Sequence, residues 1–264
     1  MPLQFHPYFI ALSLSALIAA FTAGVAWKRR SASAASQPFI SLMLAIAGYS
    51  TVAALEVIAI ALPDKIFWSK LEYVGSSSVI TCFLIFALHF THKQHWLAFP
   101  NWLLLGVVPA LNVILAATNE WHHLVWPGFL RDPNGSHLII YQHGIGFYWV
   151  LLCSYVYTLI GTLLLIQAAV QPGLLQRRQS KLILLGAMIP VIGSAFYGLG
   201  LTPPGLNTTP MSFLGGGLLY FVNLFHLNLR DTPRFYKPGR DRSGSQRLPI
   251  QIYYFRHIIN AAKK

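Results

Sequence analysis

Charged side chains standing inside long apolar runs have the most chemistry to offer in this sequence. Glu56, Lys70 and Glu72 lie in such runs, where hydrocarbon makes an isolated charge costly and therefore a default functional candidate. Glu56 lies late in one run, and Lys70 and Glu72 lie early in the next, with a turn around Asp64 and Lys65 between them. All three are thus expected at similar depth. A Glu56–Lys70 ion pair would offset much of the desolvation cost and act as a structural clasp. Left open, the same groups make a proton or ligand site.

Polar side chains collect on the same side. Asn112 falls near the end of the fourth run, and the segment 118–146 holds Glu120, His122, His123, Asp132, His137 and His143. Its length is unusual for a plain connection. Four histidines can titrate near pH ~6.5 or ligate a metal, but the spacing matches no zinc signature, so no metal is assigned. Ordinary hydrogen bonding is the plainer alternative. These residues define a candidate ligand pocket bounded by Glu56, Lys70, Glu72, Asn112 and His122. Trp121, Trp126, Tyr148 and Trp149 fit an aromatic belt at a membrane surface.

Other chemistries find less footing. His89 and His226 sit where facing imidazoles could hold haem, but a second pair is missing. A retinal Schiff base needs a lysine in the last run, and 209–229 contains none. Neither a nucleotide-binding glycine loop, a nucleophile elbow nor an HExxH pattern is present. Neither an enzymatic activity nor a cofactor is expected.

The elements that must position these groups follow from composition. Apolar residues make up 55% of the 264 and charged residues 10%, well below the roughly 25% of a soluble domain. A spanning helix needs about 20 apolar residues. Seven stretches qualify, near 8–27, 38–62, 67–91, 98–117, 147–170, 180–200 and 209–229. Helices are required because open strands leave backbone groups unpaired in lipid. The expected fold is all-α, a seven-transmembrane helix bundle over 1–230 with a short basic tail, 231–264. Pro109 and Pro190 fall inside spans and should kink them. Gly215, Gly216 and Gly217 suit close helix approach. Cys82 and Cys153 lie inside apolar runs and imply no disulfide.

Orientation follows from charge. Of the nineteen Lys and Arg, only Lys65, Lys70 and Arg131 fall on one side of this arrangement. Positive residues favour the cytoplasm, so the N-terminus is expected outside and the tail inside. The net charge of +12 then reads as a topology signal and an attraction to anionic lipid, with no nucleic-acid partner.

Several features coincide along the chain: Trp27 with the basic run after it, Glu56, the segment Phe67-Trp68-Ser69-Lys70-Leu71-Glu72-Tyr73-Val74-Gly75, Thr118-Asn119 with His122 and Trp126, Thr209-Pro210, and Arg230-Asp231-Thr232-Pro233. In order and spacing they resemble the N-terminal seven-helix sensor region of bacterial membrane histidine kinases, over about 8–234. The resemblance implies a sensory input domain in a bacterial inner membrane, usually followed by a PAS domain and a histidine kinase or diguanylate cyclase. It implies a signal output junction at Arg230, Asp231 and Pro233. Only about 30 residues follow the last span, without a phosphoacceptor box or ATP-binding glycine boxes. Phosphotransfer is therefore not carried over, and three explanations stand open: a separate kinase or cyclase partner that reads the tail, a gene truncated during decay, or a repurposed stand-alone receptor. An unknown small ligand is expected to act from the outer side. The rival readings are a small transporter or permease, and a structural subunit of a membrane complex.

Overall fold

The computed structural model describes residues 3–223 apart from 29, 32, 133, 134 and 171–173. Among them, eight α-helices follow in the order α1 (Tyr8–Trp27), α2 (Ser36–Ile58), α3 (Leu62–Phe90), α4 (Asn101–Ala117), α5 (Asn119–His122), α6 (Ile145–Val170), α7 (Leu174–Gly198) and α8 (Thr208–Val222). Five of them (α1, α2, α3, α6 and the Arg178–Gly198 part of α7) are long and apolar enough to cross a membrane. The chain is a multi-pass membrane protein. Helix α4, at 17 residues, is shorter. Helix α8 is described for 15 residues, and the expected continuation of that span to 229 lies outside the described residues, as do the tail and His226.

Helix α1 buries mostly small residues and turns most of its large ones outward, whereas α2 and α3 bury large ones such as Phe39, Met43, Phe83 and Leu88. On α1, Ser15, Ala19, Thr22, Ala23 and Ala26 are buried while Ile10, Leu14, Leu17 and Phe21 are exposed. Water-soluble folds put large apolar side chains inside. The inversion fits lipid around the bundle, where small residues let backbones approach and van der Waals packing holds helices together.

Neighbouring helices close a ring: α1 packs on α2, α2 on α3, α3 on α6, α6 on α7, α7 on α8, and α8 returns to α1. Helix α4 lies outside the ring, chiefly against α3. Helices α7 and α8 approach closely. A Cβ built on Gly216 would stand 2.6 Å from the Gly186 carbonyl oxygen, the role expected for the glycine run.

One departure from an all-α fold lies in the 118–146 segment. It holds α5 and a two-stranded antiparallel ribbon, β1 (Phe129–Arg131) with β2 (Ile139–Tyr141), in the register Phe129 to Tyr141 and Arg131 to Ile139. Three-residue strands are too short to show the alternating pattern that marks a strand in sequence. The end of the bundle that carries this segment is here the ribbon end. Leu3 and Gln4 reach the same end, where the Gln4 amide donates to the Ile58 carbonyl at 2.8 Å.

Candidate ligand site in the helix bundle

Helix α3 starts at Leu62, with Pro63 in its first turn, where a missing N–H is harmless and φ is already helical. That start sets the phase of everything after it. At about 100° per residue, positions 65, 69, 72, 76, 79 and 83 fall on one stripe. The stripe faces into the ring, with Lys65 and Ser69 buried near its beginning.

Between α2, α3, α6, α7 and α8 lies a cavity of about 180 Å³. Away from the ribbon end its wall is mostly apolar, with Ile46, Val79, Ile80 and Phe83 beside Ser154 and Thr158. Toward the ribbon end it becomes polar and aromatic, with Glu56, Glu72, Tyr49, Tyr73, Tyr197 and Asn207. Trp126 and Tyr141 close that end. Trp126 meets Tyr73 edge to face at 5.3 Å and Tyr141 at 5.6 Å between ring centroids.

The charges pair differently from the sequence expectation. Lys65, not Lys70, is the partner of Glu56: its Nζ stands 3.4 Å from Glu56 Oε1 and donates to the Glu56 carbonyl oxygen at 2.9 Å. Tyr141 donates to the same carboxylate oxygen at 2.9 Å, and Ser69 Oγ donates to the Tyr141 hydroxyl at 2.6 Å. The expectation failed because the turn ends before Asp64. Lys65 is already helical and points inward, while Lys70, five residues on, is rotated by about 140°.

Lys70 serves the rim instead. Its Nζ donates to the Ala117 carbonyl at 3.0 Å and to the Glu120 carboxylate, which is 58% exposed. The hydrogen bond from Lys70 holds the Glu120 carboxyl below its ordinary range. Asn112 is fully buried on α4 but does not line the cavity, and neither its Oδ1 nor its Nδ2 has a hydrogen-bond partner among the described residues. His122 lies in α5, within 3.2 Å of the Thr118 hydroxyl, and its Nδ1 accepts from the Leu124 amide at 3.0 Å. Of the five residues expected to bound one pocket, the structure brings Glu56 and Glu72 together at the cavity. Lys70, Asn112 and His122 lie elsewhere.

The histidines of the 118–146 segment do not gather either. His137 Nε2 lies 2.8 Å from the Val57 carbonyl oxygen, and its ring faces His6 at 5.6 Å. Burial first, then the His137 charge, lowers the His6 imidazole. His143 stacks on Phe147 at 3.7 Å, and burial pushes its imidazole down to about 4. Trp126 is buried at 3% exposure and leaves the expected surface belt, whereas Trp121, Tyr148 and Trp149 are exposed.

Two asparagines complete the site, Asn119, named above as part of the family resemblance, and Asn207, which went unnamed there. Asn119 Oδ1 accepts from the Val125 and Trp126 amides at 2.9 and 3.0 Å, fixing Trp126 over the cavity. Asn207 caps α8 by accepting from the Thr209 amide at 3.1 Å, and its Nδ2 lies 3.2 Å from both Glu72 Oε2 and the Tyr49 hydroxyl. An Asn just before Thr-Thr-Pro at the start of an apolar run is a readable helix cap.

A family model for the N-terminal 7TM region of histidine kinase matches residues 11–233. The chain belongs to this family. No individual curated protein matches it. All residues lining the cavity fall between 42 and 220, inside the matched histidine-kinase 7TM region. Two of the motifs that carried the resemblance now have physical roles in that region. The 67–75 segment supplies Ser69, Glu72 and Tyr73 to the cavity, and Pro210 accepts a hydrogen bond from Ser15 at 3.2 Å through its carbonyl. The expected output junction at Arg230, Asp231 and Pro233 lies outside the described residues.

Proposed function

We propose that this 7TM region is a non-enzymatic membrane sensor: a small molecule enters the cavity from the outer side, and helix α8 passes the change to a kinase or cyclase. The observation that carries this reading is the double role of Asn207. One side chain caps α8 and also bonds Glu72 of α3 and Tyr49 of α2 at the cavity. A ligand that takes Glu72 competes with Asn207 and so alters the N-terminal turn of α8. Signalling of this kind needs two helix arrangements with different ligand affinity.

The proposed topology is seven spans in a bacterial inner membrane, with α4 and the continued α8 as the remaining two. The ribbon end faces outward and the basic tail lies in the cytoplasm, following the Lys and Arg bias. The junction at Arg230, Asp231 and Pro233 then receives the motion of α8.

A chimera tests the reading. Residues 1–234 are joined to a kinase of known readout, and the cavity is filled with Ala187→Phe, a substitution at a buried lining residue. The filled chimera should remain folded in detergent by size exclusion, hold one constant output and lose every response that the parent shows to added small molecules. A filled chimera that responds like the parent overturns the proposal. Net uptake of solute by vesicles holding the protein would instead favour a transporter.

A further inference from the structure

The charge balance of the cavity wall is one-sided. Two carboxyl groups, Glu56 and Glu72, belong to the lining and no lysine, arginine or histidine does. Glu56 is compensated from behind by Lys65. Glu72 has no cationic group within ion-pair distance among the described residues. Its Oε2 accepts a hydrogen bond from Asn207 Nδ2 at 3.2 Å, and its Oε1 has no hydrogen bond among the described residues.

Three further observations point to the same class of ligand. Tyr73 and Tyr197 line the cavity, and neither hydroxyl takes part in a hydrogen bond among the described residues. Aromatic rings wall this end, with Tyr73 set edge to face against Trp126 at 5.3 Å, and ring faces attract cations through their quadrupole. The wall below is mostly apolar and the space is about 180 Å³, while an engineered cavity of about 150 Å³ holds one benzene ring.

Resting on the proposed sensor reading, we infer that the cavity is a site for a compact organic cation, an ammonium head on a body about one ring in size, with Glu72 as the counter-charge. The head lies among Glu72, Tyr73 and Trp126, and the body lies toward Val79 and Phe213. An ammonium donates to the free carboxylate oxygen, supplies the missing positive charge and faces the aromatic wall. A carboxylate ligand would meet Glu56 and Glu72 with like charge, and a neutral isostere forgoes the charge-assisted bond.

The test uses the full chain in lipid nanodiscs, with thermal shift and titration calorimetry against three isosteric probes: benzylammonium, benzyl alcohol and benzoate. Benzylammonium should bind saturably, benzyl alcohol about tenfold or more weakly, and benzoate not at all, since loss of a charge-assisted bond is worth about one decade or more in affinity. Glu72→Gln should weaken benzylammonium by about tenfold and leave benzyl alcohol unchanged, which also reports an intact cavity. Glu120→Gln, an exposed carboxylate away from the cavity, should change neither. Equal binding of cation and alcohol, or a Glu72→Gln variant that binds benzylammonium like the parent, overturns the inference and leaves the sensing proposal standing. If none of the probes binds, the inference falls, and the chimera alone judges the sensing proposal.

Discussion

Lys65 Nζ lies 2.9 Å from the Glu56 carbonyl oxygen and 3.4 Å from Glu56 Oε1, so one ammonium closes both the backbone end of α2 and its buried carboxylate. The lysine side chain is fully buried and that of the glutamate is 8% exposed. Removing one partner leaves the other charge uncompensated, a loss of about 3–5 kcal/mol, whereas removing both together costs far less. Lys65→Met and Glu56→Gln should therefore each lower the thermal midpoint in nanodiscs strongly. The double variant should recover most of the loss, and an additive double variant would remove the pair from the account.

Asn207 should separate folding from coupling. Replacing it with Ala deletes the α8 cap, worth about 0.5–2 kcal/mol, together with the bonds to Glu72 and Tyr49. Asn207→Ser keeps a capping oxygen but loses the amide donor. In the kinase chimera, both variants should fail to transmit a stimulus, and Asn207→Ser should sit closer to the parent in thermal midpoint. A serine variant that signals normally would show that the α8 link does not run through this amide.

These two residues mark how far the sequence could be read. Five of the expected spans were legible to within a few residues because apolar length defines them: α1 is Tyr8–Trp27 against an expected 8–27, whereas α3 begins at Leu62 against an expected 67. The pairing of Glu56 was not legible from charge and depth, because it depends on the residue at which α3 begins. Pro63 was the available signal: it places Lys65 in the first helical turn, with Glu72 two turns on along the same face. Contacts from distant segments were less accessible still. Tyr141 reaches Glu56 from a ribbon whose strands are three residues long, and Asn207 reaches Glu72 across 135 positions of chain.

Glycines should give opposite signs according to what faces them. At Gly216 an added methyl would meet the Gly186 carbonyl oxygen at 2.6 Å and Pro190 Cδ at 3.6 Å, and backbone atoms cannot swing aside. Gly216→Ala should destabilise by about 1–3 kcal/mol, as overpacking does. At Gly48, inside α2, nothing stands within 4 Å, so Gly48→Ala should stabilise by about 0.5–1 kcal/mol through the helical backbone. Thermal midpoints of the two variants in nanodiscs should move apart. If both moved in the same direction, the close α7–α8 approach would not be the source of the effect.

His143 supplies a pH dependence whose sign can be fixed. It lies just before α6, its ring stacks on Phe147 with the edge of Tyr197 at 5.2 Å, and its buried Nδ1 has no partner among the described residues. Burial disfavours the imidazolium, taking the folded value from 6.5 to about 4. Above pH ~6.5 neither state is protonated and no penalty arises. As the pH falls from there toward the folded value, the unfolded chain binds a proton that the folded chain refuses. Stability should then drop by up to about 1.4 kcal/mol per pH unit, and the decline should level off below the folded value. His6, lowered in the same direction, adds to the slope, so the informative quantity is the difference between parent and variant. His143→Phe keeps a ring against Phe147 and removes the titration. The gap in thermal midpoint between variant and parent should widen from pH 7 to pH 4.5 in favour of the variant. A constant gap across that range would mean that His143 is hydrated and titrates as it does in the unfolded chain.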